Sequence, residues 1–152
     1  MPRRSLTGFR IILTGATSGI GRALTIELIR RGARVVAMGR RGDRLQSLAT
    51  EVAQPKNYRG LMGDVTSRDD RRAALQLAER EFGGLDCLIN NAGIGALGPF
   101  EHADEARLRQ IMEVNFFAPV EFIREALPLL AMGNKPIIVN VSSVLGHRAV
   151  PN

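Results

Sequence analysis

Five short apolar runs alternate with four amphipathic stretches over almost the whole chain, and few folds accept that order. Residues 9–13 (FRIIL), 34–38 (RVVAM), 85–89 (LDCLI) and 136–141 (PIIVNV) are runs of strand length, and 58–62 (YRGLM) is a weaker one. Between them, 22–31 carries Leu24, Leu28 and Ile29 at helical spacing, and 43–52 carries Leu45, Leu48 and Val52. Thr66 or Ser67 can cap a third helix running to about Phe82, with Asp69 and Asp70 in its first turn. From about Asp104 to Ala131 the pattern is helical again. Strands separated by helices of this length require right-handed crossovers, hence an α/β fold with a parallel sheet covered on both faces. The strands read as nearly continuous apolar runs, as strands buried on both faces do. A doubly wound parallel sheet follows, with ligands expected at the carboxyl ends of its strands.

The remaining composition narrows the function. With 45% hydrophobic and 24% charged residues in 152, the chain is expected to form one domain with its own core. No run approaches the roughly 18 apolar residues of a membrane span. The basic start MPRRSLTGFR leads straight into a strand rather than a signal peptide, so a cytoplasmic protein is expected. A single cysteine, Cys87, excludes an internal disulfide, and with only His102 and His147 no metal site is expected. Nineteen of the 21 basic residues are Arg. Residues 1–76 hold 15 basic and 6 acidic residues, a net +9, and residues 77–152 hold 6 and 9, a net −3. The positive half suits a phosphate-bearing partner. A nucleotide is favoured over nucleic acid, because the chain has few aromatics to stack on bases and no nucleic-acid reading motif.

The first apolar run opens directly onto Thr14-Gly15-Ala16-Thr17-Ser18-Gly19-Ile20-Gly21. Gly15 permits a tight turn out of the strand. Gly19 and Gly21 remove side chains where the next helix begins, so a pyrophosphate can approach backbone N–H groups and the helix dipole. Thr17 and Ser18 add hydroxyls. Gly21 is followed by Arg22-Ala23 rather than Lys-Ser/Thr, which excludes a Walker-type loop. The end of the second strand, where an acid would take a ribose 2′-hydroxyl, reads Gly39-Arg40-Arg41. A guanidinium there can pair with a 2′-phosphate, so NADP(H) is expected over NAD(H).

These motifs resemble the short-chain dehydrogenase/reductase family. The matches are TGATSGIG at 14–21, Asp64-Val65 after the third strand, NNAG at 90–93, Asn115 in the long helix and IVNVSS at 138–143. The resemblance implies a Rossmann-type sheet, NAD(P)(H), and hydride transfer between a carbonyl and an alcohol on a small-molecule substrate. It implies that Gly15, Thr17, Ser18, Gly19, Ile20 and Gly21 hold the cofactor, that Asp64 and Val65 contact its adenine, and that Asn91, Ala92 and Gly93 run along it. Ser143 matches the serine that polarises the substrate oxygen, since Ser143-Val144-Leu145-Gly146 fits the family's Ser-x-x-Gly. Asn115 matches the residue whose backbone carbonyl holds a relay water. Pro119, four residues on, has no N–H to give that carbonyl, which supplies a local reason for it to be open. The resemblance also implies a homo-oligomer for the intact protein.

The family's Tyr-x-x-x-Lys pair would lie about thirteen residues after Ser143, past Asn152. The one tyrosine, Tyr58, lies in the third strand region and cannot substitute. The sequence therefore reads as the amino-terminal portion of such an enzyme, one dinucleotide-binding domain ending after the fifth strand. The alternative is a dinucleotide-binding module without chemistry. The 152 residues by themselves are expected to be inactive and prone to self-association through the bare edge of the last strand.

Overall fold

The chain's structure is a computed structural model that describes residues 5–96 and 98–144; Leu145, Gly146 and His147 lie outside the described residues. Five parallel strands, β1 (Arg10–Thr14), β2 (Arg34–Gly39), β3 (Tyr58–Met62), β4 (Cys87–Asn90) and β5 (Ile137–Asn140), form one sheet in the order β3-β2-β1-β4-β5. The helices are α1 (Gly19–Arg30), α2 (Gly42–Val52), α3 (Arg68–Phe82), α4 (Glu105–Met112) and α5 (Ala118–Ala131). The strand order reverses beside β1, and the ends of β1 and β4 therefore diverge into a crevice. This is the Rossmann-type sheet expected from the sequence.

Alternation along the strands builds two cores. Ile11, Leu13, Val35, Ala37, Cys87 and Ile89 point to one face, where α1 and α2 cover them with Leu28, Ile29, Leu45 and Leu48. Ile12, Val36, Met38 and Leu88 point to the other, under Ala74, Ala78 and Phe82 of α3 and Phe122, Ala126 and Leu130 of α5. Alanines at 74, 78 and 126 let the two helices lie close to the sheet. Phe122 is 1% exposed, whereas Phe116, Phe117 and Leu127 are about half exposed. Cys87 is buried in the first of these cores.

The boundaries differ from the expected ones where polar residues extend an element. Strand β1 runs on to Thr14 and β4 to Asn90, because both residues pair within the sheet before turning to other partners. Helix α1 starts at Gly19, three residues before the expected stretch 22–31 and five before Leu24, the first apolar position that reveals it. The long helical stretch is not one helix: α4 and α5 are separated by a π-helical turn, Glu113–Phe117. Pro119 lacks the N–H that an α-helix needs, and the wider turn absorbs the defect, with the Ala118 N–H donating to the Glu113 carbonyl five residues back.

The start of β4 is fixed by a buried ion pair. Asp86 accepts hydrogen bonds from Arg10 Nε (2.9 Å), Arg10 Nη2 (2.6 Å), the Arg10 N–H (2.9 Å) and the Asn134 N–H (2.7 Å). It thereby joins β1, β4 and the turn that leads into β5. Burial alone would push its pKa up, but these donors outweigh burial and hold it down to about 2. The stabilisation from Asp86 is thus present above its unfolded pKa, near 4, and is lost as pH falls through about 2. Asp86→Ala is expected to lower stability at neutral pH by about 3 kcal/mol, and to flatten the acid limb below pH 4, in urea titrations at stepped pH.

Candidate functional site

The carboxyl ends of β1 and β4 are held by one hydroxyl. Thr14 Oγ1 accepts from the N–H groups of Asn91 and Ala92, both at 3.0 Å, and donates to the Ile89 carbonyl at 3.4 Å. Asn91 answers by donating from Nδ2 to the Thr14 carbonyl at 2.9 Å. One strand along, Asn90 Nδ2 donates to Asn140 Oδ1 at 2.9 Å, joining β4 to β5. The two asparagines of NNAG therefore serve different neighbours.

Above these strand ends lies a cleft of about 440 Å³. Its lining includes Gly15, Thr17, Ser18, Ile20 and Gly21 from the first loop, Arg40 and Arg41 after β2, Asp64 and Val65 after β3, and Asn91, Ala92 and Gly93 after β4. Every residue expected to hold a cofactor is in this lining except Gly19. Asn115 and Ser143, the expected catalytic pair, are not in it. Gly39, Gly63, Ile94 and Val114 line it as well and escaped the sequence reading. Two of these are glycines at strand ends, where a small residue is the only signal; at Gly39 a Cβ would stand 2.5 Å from Thr17 Cγ2.

Each glycine of the loop does a different job. Gly15 turns the chain at φ 70°, and a Cβ there would be 2.8 Å from Asn91 Nδ2. Gly21 is needed for packing more than for ligand approach, since a Cβ would strike the Gly15 carbonyl and sit 2.5 Å from Asn91 Nδ2. Gly19 opens α1 at φ 52° with nothing within 4 Å of a Cβ position. The first turn of α1 holds no acid, and Ser18 at its N-cap makes no side-chain cap bond. Helix α3, by contrast, is capped by Ser67 and has two acids in its first turn. The N-terminus of α1 thus keeps donors and positive dipole for an anion. Arg41 takes up the loop hydroxyls instead, donating to Thr17 Oγ1 (2.9 Å) and Ser18 Oγ (2.7 Å) from Nη2. Arg40 is mostly exposed, 3.9 Å from Asp64. The cleft therefore has a basic end beside a glycine-lined floor, which fits a phosphate-rich dinucleotide.

The other end is set by Asn115. Its Oδ1 accepts from the Ile94 N–H at 2.9 Å and its Nδ2 donates to the Ile94 carbonyl at 2.8 Å, so one amide holds both sides of a single backbone residue. The side-chain role was not legible in the sequence, where the residue's backbone carbonyl attracted attention. Tyr58 is buried, donates to the Leu45 carbonyl at 2.9 Å, and has its pKa raised to about 12 by that burial. It takes no part in the cleft. Ser143 lies three residues beyond β5 and is exposed. Among the described residues no group of three or more His, Cys, Asp or Glu could hold a metal ion.

The family model described as short chain dehydrogenase matches residues 10–152. The chain belongs to that family. It is 35% identical over 139 residues to serine 3-dehydrogenase from Agrobacterium fabrum, covering 90% of this chain and 54% of the relative. It is 36% identical over 143 residues to 11-beta-hydroxysteroid dehydrogenase 1A from Arabidopsis thaliana, covering 91% and 41%. The fold matches a crystal structure of a glucose/ribitol dehydrogenase of the family from Brucella melitensis with TM-score 0.91, at 28% identity, over 96% of this chain and 61% of that one. A family member of unknown function from Caenorhabditis elegans, crystallised with cofactor, matches with TM-score 0.89 and 28% identity, over 98% and 58%. The chain thus spans about half the length of the curated relatives it matches. No helix among the described residues is long and apolar enough to cross a membrane.

The glycine geometry separates two variants. Gly21→Ala drives a methyl into the Gly15 carbonyl and is expected to destabilise the protein by about 1–3 kcal/mol. Gly19→Ala meets no atoms and carries only the backbone cost of positive φ, about 1 kcal/mol. Urea unfolding of the two variants should rank them in that order.

Proposed function

We propose that this chain is the dinucleotide-binding domain of an NAD(P)(H)-dependent oxidoreductase acting between a carbonyl and an alcohol, with NADP(H) taken in preference to NAD(H). The cofactor, when bound, supplies or accepts the hydride, chemistry that protein side chains lack. The chain's own residues do the rest. Gly15 and the N-terminus of α1 receive the pyrophosphate, and Asp64 and Val65 border the adenine. Asn91, Ala92 and Gly93 bound the far side. Ser143 holds a hydroxyl proton for the substrate oxygen, and the Asn115 carbonyl holds a water that carries protons onward. The substrate is a small carbonyl or alcohol.

The observation that carries the NADP(H) reading is Arg41, whose guanidinium is already 2.9 Å and 2.7 Å from the Thr17 and Ser18 hydroxyls at the end of β2. No carboxylate occupies positions 39–41 to repel a 2′-phosphate. Arg40 shares its charge with Asp64 and contributes less. A charge-assisted bond to phosphate is worth about 1.5–3 kcal/mol, so Arg41→Ala should weaken NADP(H) binding roughly tenfold to a hundredfold and leave NAD(H) nearly unchanged. Equal losses for both cofactors, measured by calorimetry, would overturn the preference.

The 152 residues contain no Tyr-x-x-x-Lys, and general acid/base help of that kind is worth about 10²–10⁴-fold. Expressed alone, they are expected to show no carbonyl reduction above background with NADPH. Met112, Phe116, Phe117 and Leu127 are exposed along α4 to α5, and Ile137 on β5, so these residues should self-associate in size-exclusion chromatography. A monomer with measurable turnover would contradict both expectations. In the intact protein the same surface suits a homo-oligomer.

A further inference from the structure

Among the described residues one arginine is buried. Arg71, in the first turns of α3, is 5% exposed. Its Nε and Nη2 donate to Glu125 Oε2 (3.1 Å) and Oε1 (3.2 Å) on α5, a two-point fork. Its Nη1 turns the other way and donates to the carbonyls of Val65 (2.8 Å) and Thr66 (3.1 Å). The Glu125 side chain is only 10% exposed, and Arg68 Nε lies 3.7 Å from its Oε1. Burying such a pair costs desolvation that an apolar pair of the same size would avoid. The Arg71 side chain spends this cost on two backbone carbonyls of the loop that lines the cleft.

That loop has other holds, since Val65 packs its side chain against the apolar layer under α3 and α5, and Asp64 anchors the start of the turn. The Asp64 N–H donates to Asp70 Oδ2 at 2.8 Å, and Asp64 Oδ1 accepts from the Thr66 N–H and hydroxyl at 2.9 and 2.8 Å. These bonds shape the turn from within and tie it to α3. Arg71 adds the hydrogen-bonded tie from the loop's backbone to Glu125 on α5, and α5 is continuous through the π-helical turn with Asn115, which holds Ile94 on the opposite lip. A rigid fork donating in two directions suits this task better than a lysine ammonium.

We propose that Arg71, braced by Glu125, is a positioning residue that sets the Val65–Thr66 backbone at the adenine side of the cleft. The proposal rests on the reading of that cleft as a dinucleotide site. Arg71 touches no ligand; it fixes the residues that do. A purely structural pair would behave differently, because its loss could be made good by apolar packing.

The test uses the intact protein, with ADP-ribose as the probe in calorimetry and thermal melting recorded in parallel. Arg71→Met alone strands Glu125 and should lower the melting temperature as well as affinity. The double variant Arg71→Met/Glu125→Leu removes both charges and fills their space, so melting should return close to wild type. ADP-ribose affinity should stay about tenfold weaker, the size expected when charge-assisted bonds to a lining loop are lost. A double variant that binds as tightly as wild type shows the pair to be structural only and overturns the proposal, while the dinucleotide reading stands. Failure of the wild type to bind ADP-ribose overturns both. Should the double variant not fold, Arg71→Lys takes its place: it keeps the charge beside Glu125 but has one nitrogen for four acceptor oxygens. Several-fold weaker binding with unchanged melting supports the role, and unchanged binding overturns it.

Discussion

The hydroxyl of Thr14 is the contact on which the site depends. It takes the N–H groups of Asn91 and Ala92, where β4 ends and its chain leaves the sheet, and so decides how far the β1 and β4 loops separate. Asn91 closes the arrangement by returning a hydrogen bond to the Thr14 carbonyl. Gly15 and Gly21 follow from this, since the loop passes so near Asn91 that neither position has room for a Cβ. A parallel sheet leaves its strand-end carbonyls and N–H groups without ladder partners at the switch point. Here side chains satisfy part of that demand, and the remainder is what a ligand can use.

A second constraint is where the chain places its charge. Many of the described arginines are exposed beside acids, as Arg30 and Arg31 are with Glu27, and such exposed pairs contribute little to stability. Two are different. Arg10 with Asp86 binds the amino ends of β1 and β4 to the turn before β5. Arg71 with Glu125 binds α3 to α5 beside the cleft. One pair secures the sheet at the edge away from the site and the other secures it at the site. Between them run the two apolar layers, so the ionic contacts sit at the ends of the barrier that burial provides.

The helical stretch after β4 shows how a local defect is put to use. Pro119 cannot donate, and the chain widens to a π-helical turn rather than breaking. The turn carries Val114 into the cleft lining and sets Asn115 against Ile94. The wider turn also leaves Phe116 and Phe117 about half exposed, edge to face with each other at 5.2 Å.

Much of this was legible in the linear order of residues. Apolar runs of strand length between helical periods dictate a parallel doubly wound sheet, and β3 begins and ends where its pattern does. The glycine loop and the Asp64, Asn91 and Arg41 positions follow from motifs whose chemistry is local, and all but Gly19 of the residues expected to hold the cofactor line one cleft. Periodicity misses elements that open on glycine, so α1 begins earlier than its apolar residues suggest, and it cannot register a π-turn, because a helix of either pitch buries similar side chains. Contacts between residues far apart in sequence were invisible for a different reason. Arg71 looks like any surface arginine until α5 brings Glu125 beside it, 54 residues on, and the Asn115 amide finds Ile94 only after the π-turn rotates it there. Local chemistry settles which residues gather at the cleft; which charged side chains become braces is settled only when the helices pack, because burial and pairing are properties of two elements together.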